Sequence, residues 1–321
     1  MPLFVGCDLG GTNIKAGLVD ISTGEVIKSR STPTLAQEGD EAVMKRMAGL
    51  IELVIDDCDC NRKEIKGVGV SAPGLLDLDN GLVLFLTNLH GHWPNVPLQK
   101  TLSDYLNLPV SILNDVRAIT LGEFTFGAGR GAKNMACFAI GTGIGGGVIV
   151  NGDLVLGIHG QAGELGHLTI DFNGPLCGCG NNGCLETFAS APAIANMGIK
   201  AVQQGQATLI GEMANFDLNR ITPKLIADAA LQGDEIACRI WGDAGHYIGT
   251  GIANILVTLA PNKVVISGGV AAAGDLLINP IRKTVKERVF LIPTEEVEIV
   301  LGELGNQAGI LGMAQWAYLN L

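Results

Sequence analysis

The chain has 321 residues, enough for two domains of ordinary size, and is 47% hydrophobic with 45 glycines. Its 21 Lys and Arg face 32 Asp and Glu, a formal charge of -11, which argues against nonspecific nucleic-acid binding and against an anionic membrane partner. No apolar run reaches about 18 residues, so no membrane-spanning helix is expected.

The N-terminus enters a strand-like run, Leu3-Phe4-Val5-Gly6-Cys7, with no basic segment before it, so a cytoplasmic chain without a signal peptide is expected. Leu3–Asp8, Ile14–Val19 and Glu25–Ser29 read as a strand meander broken by Gly10-Gly11 and Ser22-Thr23-Gly24. A helical period follows, with Val43, Met47, Leu50, Ile51 and Val54 on one face. Strands are expected at Ile65–Ser71 and Val110–Leu113, separated by a loop around Pro73-Gly74. The order then repeats. Met135–Ile140, Gly146–Val150 and Asp153–Leu156 read as three strands, the last two joined by Asn151-Gly152. Helices are expected from Pro192, from Thr222-Pro223 (N-cap, then Pro at the first helical position) and from Asp234 to Leu259. Val264–Ser267 and Val297–Val300 read as strands, and a last helix runs from Ala308 to the end. Two copies of a β-β-β-α-β-α-β plan imply two similar α/β domains facing across a cleft.

Each copy opens with a glycine loop after its first strand. In Asp8-Leu9-Gly10-Gly11-Thr12-Asn13 the glycines let backbone N–H groups approach anionic oxygens, and Thr12 and Asn13 add side-chain donors. Asp8, at the strand end, suits a Mg²⁺ held through water. The second loop is Ile140-Gly141-Thr142-Gly143-Ile144-Gly145-Gly146-Gly147. Neither loop contains Gly-Lys-Ser/Thr, and each leads into another strand, so neither is a P-loop or a dinucleotide fingerprint. Ser267-Gly268-Gly269-Val270 is a third glycine site, suited to lie beside an adenosine or to form a simple turn.

His167, Cys177, Cys179 and Cys184 form H-x9-C-x-C-x4-C, a donor set for a closed, structural tetrahedral zinc site. The remaining five cysteines are scattered. Taken alone, Glu164 and Glu186 are solvated acids and Asp115 is a helix N-cap.

With both loops and the cysteine motif in view, the chain resembles the ROK family of sugar kinases and repressors over nearly its whole length. The resemblance implies a duplicated ribonuclease-H-like (actin/hexokinase/Hsp70-type) two-domain ATPase fold with an interdomain cleft. Residues 1–118, joined by the C-terminal helix from about residue 306, would form a smaller domain, and residues 119–305 a larger one bearing the zinc motif. It implies ATP with Mg²⁺ and structural Zn²⁺ as cofactors. Asp8, Gly10, Gly11, Thr12, Asn13, Lys15, Gly141, Thr142, Gly143, Gly268 and Gly269 would serve the nucleotide. Gly74, Asn88, Asn114, Asp115, Glu164, His167 and Glu186 would line the sugar, with Asp115 as catalytic base.

The activity implied is ATP-dependent phosphorylation of glucose at the 6-hydroxyl. The alternatives are another hexose (N-acetylmannosamine, N-acetylglucosamine or fructose) or a sugar-responsive regulator. The regulators carry an N-terminal helix-turn-helix, whereas this chain starts its first strand at residue 3. A homodimer is the family-level expectation. Two departures stand out. Val116-Arg117 replaces the family's usual Ala-Asn after Asn114-Asp115, and the stretch Asn88–Trp93 is one residue longer than usual.

Overall fold

A computed structural model describes residues 2–58, 60–86, 89 and 91–321. These fall into two compact units, the first running to Gly131 with Asp153–Gly163 and Glu303–Leu321, the second comprising Ala132–Gly152 and Glu164–Gly302.

The first unit opens with β1 (Leu3–Leu9), β2 (Asn13–Asp20), β3 (Glu25–Pro33) and α1 (Asp40–Asp56). There follow β4 (Ile65–Ala72), β5 (Leu75–Asp77), β6 (Leu82–Phe85), α2 (Leu98–Leu106), β7 (Val110–Asn114) and α3 (Asp115–Phe126). Its main sheet has the order β3-β2-β1-β4-β7. β1 is antiparallel to β2 and parallel to β4, and β4 is parallel to β7.

β1 is buried on both faces, and its two-residue alternation sends opposite sides to different partners. Val5, Cys7 and Leu9 join the cluster under α1, built on Val43, Met47, Leu50, Ile51 and Val54. Phe4 instead joins Ile310, Leu311 and Ala314 of the C-terminal helix. That helix, Ala308–Asn320, buries residues on almost every side of its first two turns, as a helix without a polar face must. It settles onto the strands because Gly6 and Gly69 lack a Cβ, which would overlap the carbonyls of Ile310 and Met313. Each large apolar side chain fully enclosed here contributes about 1.5–3 kcal/mol.

The second unit begins with β8 (Met135–Ile140) antiparallel to β9 (Ile144–Val150). The Asn151-Gly152 turn leads to the two-residue strand β10 (Asp153–Leu154). Four helices follow, α4 (Glu186–Ala189), α5 (Ala191–Gln203), α6 (Leu209–Met213) and α7 (Pro223–Leu231). Then come the long α8 (Glu235–Leu259), β11 (Lys263–Ser267), α9 (Asp275–Arg288), β12 (Glu298–Leu301) and, returning to the first unit, α10 (Ala308–Asn320). Within this unit the strands run β9-β8-β11-β12, with β8, β11 and β12 parallel. Asp234 caps α8 by accepting the Ala237 N–H at 2.7 Å. Among the described residues no helix is long and apolar enough to cross a membrane.

The repeated plan recurs along the chain with local differences, and the third strand of its second copy, β10, falls within the first unit. β9 begins at Ile144, two residues before the predicted strand, because Ile144 still pairs with Ile140 across the glycine loop. The third strand of the repeat shrinks to two residues. The β5–β6 hairpin, α2 and α9 lie outside the predicted elements, although Leu98, Leu102 and Leu106 of α2 and Leu277, Ile278, Ile281 and Val285 of α9 are buried at helical spacing. α9 holds Pro280, ordinarily a helix breaker, packed against Gly245 of α8.

Candidate functional site

The candidate residues of the first unit gather at the carboxyl ends of its parallel strands, where ligands bind in open α/β sheets. Asp8 ends β1 and is paired in register with Lys15 of β2. Its Oδ1 accepts the hydroxyl of the fully buried Ser71, at the end of β4, at 2.6 Å. Desolvation pushes the Asp8 carboxyl above the ordinary carboxylate range, against the lowering pull of the Ser71 hydrogen bond and the Lys15 charge. Lys15 Nζ donates to Asn306 Oδ1 at 3.0 Å.

Gly11, Thr12 and Asn13 are exposed at the loop tip. The Gly10 N–H closes the turn onto the Asn13 carbonyl at 3.0 Å. Behind it, fully buried Thr34 donates its hydroxyl to the Gly10 carbonyl (2.6 Å) and its N–H to that of Thr12 (2.8 Å). Ser71 and Thr34 were not singled out from sequence; a hydroxyl within an apolar strand is the signal that marks Ser71.

At the end of β7, Asn114 caps α3, its Oδ1 accepting the N–H groups of Val116 (3.0 Å) and Arg117 (3.4 Å). Asn114 takes the cap that Asp115 alone would suggest, and Asp115 becomes the first helical residue. Asn114 Nδ2 donates to the carbonyl of Gly74 at 3.2 Å, so Gly74, Asn114 and Asp115 form one group. Gly74 holds φ at +89°, a backbone state that favours glycine. Arg117 is buried, with Nε (3.0 Å) and Nη2 (2.6 Å) both donating to the Ala162 carbonyl just before Gly163-Glu164. The unusual cation is thus a backbone clasp. Asn88 lies outside the described residues, as do Thr87 and His90.

In the second unit, the glycine loop is closed by the Gly141 N–H donating to the Gly143 carbonyl (2.8 Å) and is tied to α5 by the Ala191 N–H on the Gly141 carbonyl (2.9 Å). Thr142 is exposed. Gly268, at φ +86°, lies against the Ile140 carbonyl at the end of β8, and Gly269 starts the turn Gly269–Ala273. The second and third glycine sites therefore meet at the ends of β8 and β11.

His167 closes the turn Leu165–His167, and its N–H donates to the Glu164 carbonyl at 3.0 Å. Gly166 lies so close to β9 that a Cβ there would overlap the Ile144 carbonyl. Cys177 and Cys179 sit in a tight turn in which the Gly180 N–H donates to the Cys177 carbonyl (2.9 Å). Cys184 pairs with Thr169 in an isolated bridge. The ligand atoms of His167, Cys177, Cys179 and Cys184 all lie within 4.8 Å of one another.

Zinc–sulfur and zinc–nitrogen bonds of about 2.3 and 2.0–2.1 Å give tetrahedral edges of about 3.8 Å between sulfurs and about 3.6 Å from sulfur to nitrogen. Cys179 and Cys184 Sγ are 3.7 Å apart, and Cys177 Sγ is 3.6 Å from His167 Nδ1. The four groups can thus hold a tetrahedral cation. Burial pushes the Cys184 thiol up to about 12, while the Asn181 backbone N–H pulls Cys179 down. Metal uptake here must release protons. Glu186 begins α4, with Oε2 accepting the Ile144 N–H at 2.9 Å and Oε1 3.9 Å from Cys177 Sγ.

Comparison with known proteins places the chain in a family. Residues 4–319 match the ROK family. A glucokinase from Thermotoga maritima is 37% identical over 310 residues, covering 97% of this chain and 95% of that protein. A xylose repressor from Caldicellulosiruptor bescii is 33% identical over 308 residues, covering 96% of this chain but 76% of the repressor. The crystal structure of a ROK family glucokinase from Streptomyces griseus, in complex with glucose and AMPPNP, superposes with a TM-score of 0.84 at 31% identity, covering 99% of this chain and all of that one. The fold shared with these kinases is the two-domain actin/hexokinase-type α/β fold. Matched from its first strand to its last helix, the chain belongs to the ROK family.

Proposed function

We propose that this chain is an ATP-dependent glucokinase that transfers the γ-phosphoryl group to the 6-hydroxyl of glucose. The observation that carries the reading is Asp115, a carboxylate at the carboxyl end of β7 in a chain similar over nearly its full length to glucokinases. Asn114 supplies the cap, and the Asp115 carboxylate, whose Oδ1 accepts the Val116 N–H at 2.9 Å, stands at the start of the helix. In this reading Asp115 accepts the proton of the 6-hydroxyl as that oxygen attacks the γ-phosphorus and the bond to the β-phosphate oxygen breaks, releasing ADP. Asn114 and Gly74 position the base. Glu164, His167 and Glu186 bind sugar hydroxyls, carboxylates being suited to accept from adjacent hydroxyls.

The loop Gly10 to Asn13, exposed at Gly11, Thr12 and Asn13, binds phosphates with Lys15 and the loop Gly141–Gly143; Gly268-Gly269 lies beside the adenosine. Mg²⁺ bound near Asp8 would neutralise charge on the β- and γ-phosphates. A structural zinc on His167, Cys177, Cys179 and Cys184 would hold the sugar-binding turn in place. Among the described residues no cysteine is in a disulfide, as the reducing cytoplasm of this reading would require. A homodimer is the assembly expected, and light scattering checks it.

The second reading is a sugar-responsive regulator, favoured by the likeness to the xylose repressor. A coupled ADP-release assay across glucose, mannose, fructose, N-acetylglucosamine, N-acetylmannosamine and xylose separates the two. Turnover is expected to be highest with glucose. Sugar binding with no ADP release would replace the kinase by the regulator, and preference for another hexose would change the substrate.

A further inference from the structure

Glu186 makes a contact that sugar recognition does not account for. Its Oε2 accepts the N–H of Ile144, the first residue after the Gly141–Gly143 loop, across 42 positions of sequence. The same oxygen occupies the space that a Cβ on Gly143 would fill. Ile144 is approached from its other side by Gly166, in the turn that carries His167, at its carbonyl. Residue 144 is therefore bonded at its N–H and closely approached at its carbonyl by segments assigned to the sugar, while the loop it ends is assigned to the nucleotide.

A loop of Gly-Thr-Gly has many backbone states, and binding phosphate through its N–H groups requires one of them. A carboxylate on the amide that closes the loop restricts those states before nucleotide arrives, which lowers the ordering cost of binding. Oε1 faces the Cys177 sulfur at 3.9 Å, a long contact that a sugar hydroxyl donating to Oε1 would replace or share. A hydroxyl donating to Oε1 would fix the rotamer that keeps Oε2 on Ile144. Two ligands that order the same element each strengthen the other, by equal factors.

Resting on the nucleotide and sugar assignments above, we propose that Glu186 is also the positioning residue of the Gly141–Gly143 loop, coupling sugar occupancy to nucleotide affinity through the Ile144 amide. The test is calorimetric titration of the zinc-loaded full chain with Mg-AMPPNP, in the absence and presence of glucose. Glucose is expected to tighten nucleotide binding to the wild-type chain at least fivefold. Glu186→Ala should weaken sugar-free nucleotide binding roughly five- to tenfold and abolish the glucose effect. Glu186→Gln should stay within about twofold of wild type without sugar, since its carboxamide oxygen still accepts from Ile144 and its N–H can face the Cys177 sulfur.

Sugar-free affinity is the deciding readout, because a residue that touched only sugar would not change it. A folded Glu186→Ala with wild-type sugar-free affinity overturns the proposal, as does Glu186→Gln no better than Glu186→Ala. Should Glu186→Ala fail to fold, Gly143→Ala decides: its methyl displaces Oε2 while the carboxylate remains. It should weaken both nucleotide and glucose binding at least fivefold, and unchanged glucose binding overturns the coupling. A wild-type chain that binds no Mg-AMPPNP at all fails differently, because it removes the nucleotide assignment itself.

Discussion

The two glycine loops follow the first strand of each unit and lead into an antiparallel partner, yet they are held by opposite means. The first brings its own ions, Asp8 and Lys15 in register, and is buttressed by Thr34 one strand further on. The second, Ile140–Gly147, has no ionisable side chain; its carboxylate is Glu186, from a separate helix. A repeated strand plan thus supplies two turns with backbone N–H groups to offer. What each turn can do is set by the charges brought to it, locally in the first unit and over a long sequence separation in the second.

In the proposed function the base Asp115 belongs to the first unit and the sugar-binding acids Glu164 and Glu186 to the second, and the largest expected effect tests the first half. Asp115→Ala should lower kcat by roughly two to four orders of magnitude while the chain still folds, since Asn114 retains the cap although the bond from the Val116 N–H to Asp115 Oδ1 is lost. Near-normal turnover of a folded variant would remove Asp115 from the mechanism. The second half depends on the metal. Elemental analysis should find about one zinc per chain, and Cys184→Ser should lose it together with glucose affinity, closed Cys3His sites being worth about 10–16 kcal/mol in comparable peptides. Active, zinc-free protein would separate recognition from the metal.

A smaller effect sharpens the same point. A metal held on the Nδ1 side of His167, which lies 3.6 Å from Cys177 Sγ, would leave Nε2 to donate to a sugar hydroxyl. His167→Cys should keep zinc and raise the glucose KM about tenfold, near 1.4 kcal/mol. Retention of both zinc and wild-type KM would leave His167 as a metal ligand only.

The smallest effect is on stability and concerns the ionic first loop. Asp8 has its carboxyl raised by desolvation, so the folded chain holds this proton more tightly than the unfolded chain. As pH rises from the ordinary carboxylate value through the raised one, folding stability is lost, and the loss is complete above it. Asp8→Asn should therefore be more stable than wild type at neutral pH in metal-free buffer. The gain should vanish on acidification below the ordinary carboxylate range. Thermal melts across pH check this; a gain that persists in acid would assign the stabilisation to something other than the charge.

The sequence by itself determined the α/β class, the repeated strand plan, both glycine loops and the candidate zinc ligands. Each of these is written in short-range spacing: two-residue alternation in β1, a 3.6-residue period in α1, glycines at a strand end, thiols a few positions apart. Asp115, Glu164 and Glu186 drew their roles from family resemblance, because an isolated acid looks the same whether it is solvated or placed in a site. Tertiary structure alone decided that Asn114 rather than Asp115 caps α3, that Arg117 clasps the Ala162 carbonyl, and that Glu186 holds Ile144. α9 also escaped detection, because the packing of Pro280 on Gly245 is a contact between helices rather than a feature of either. All of these depend on which backbone groups are left without partners once strands and helices have packed. No local pattern of residues encodes that.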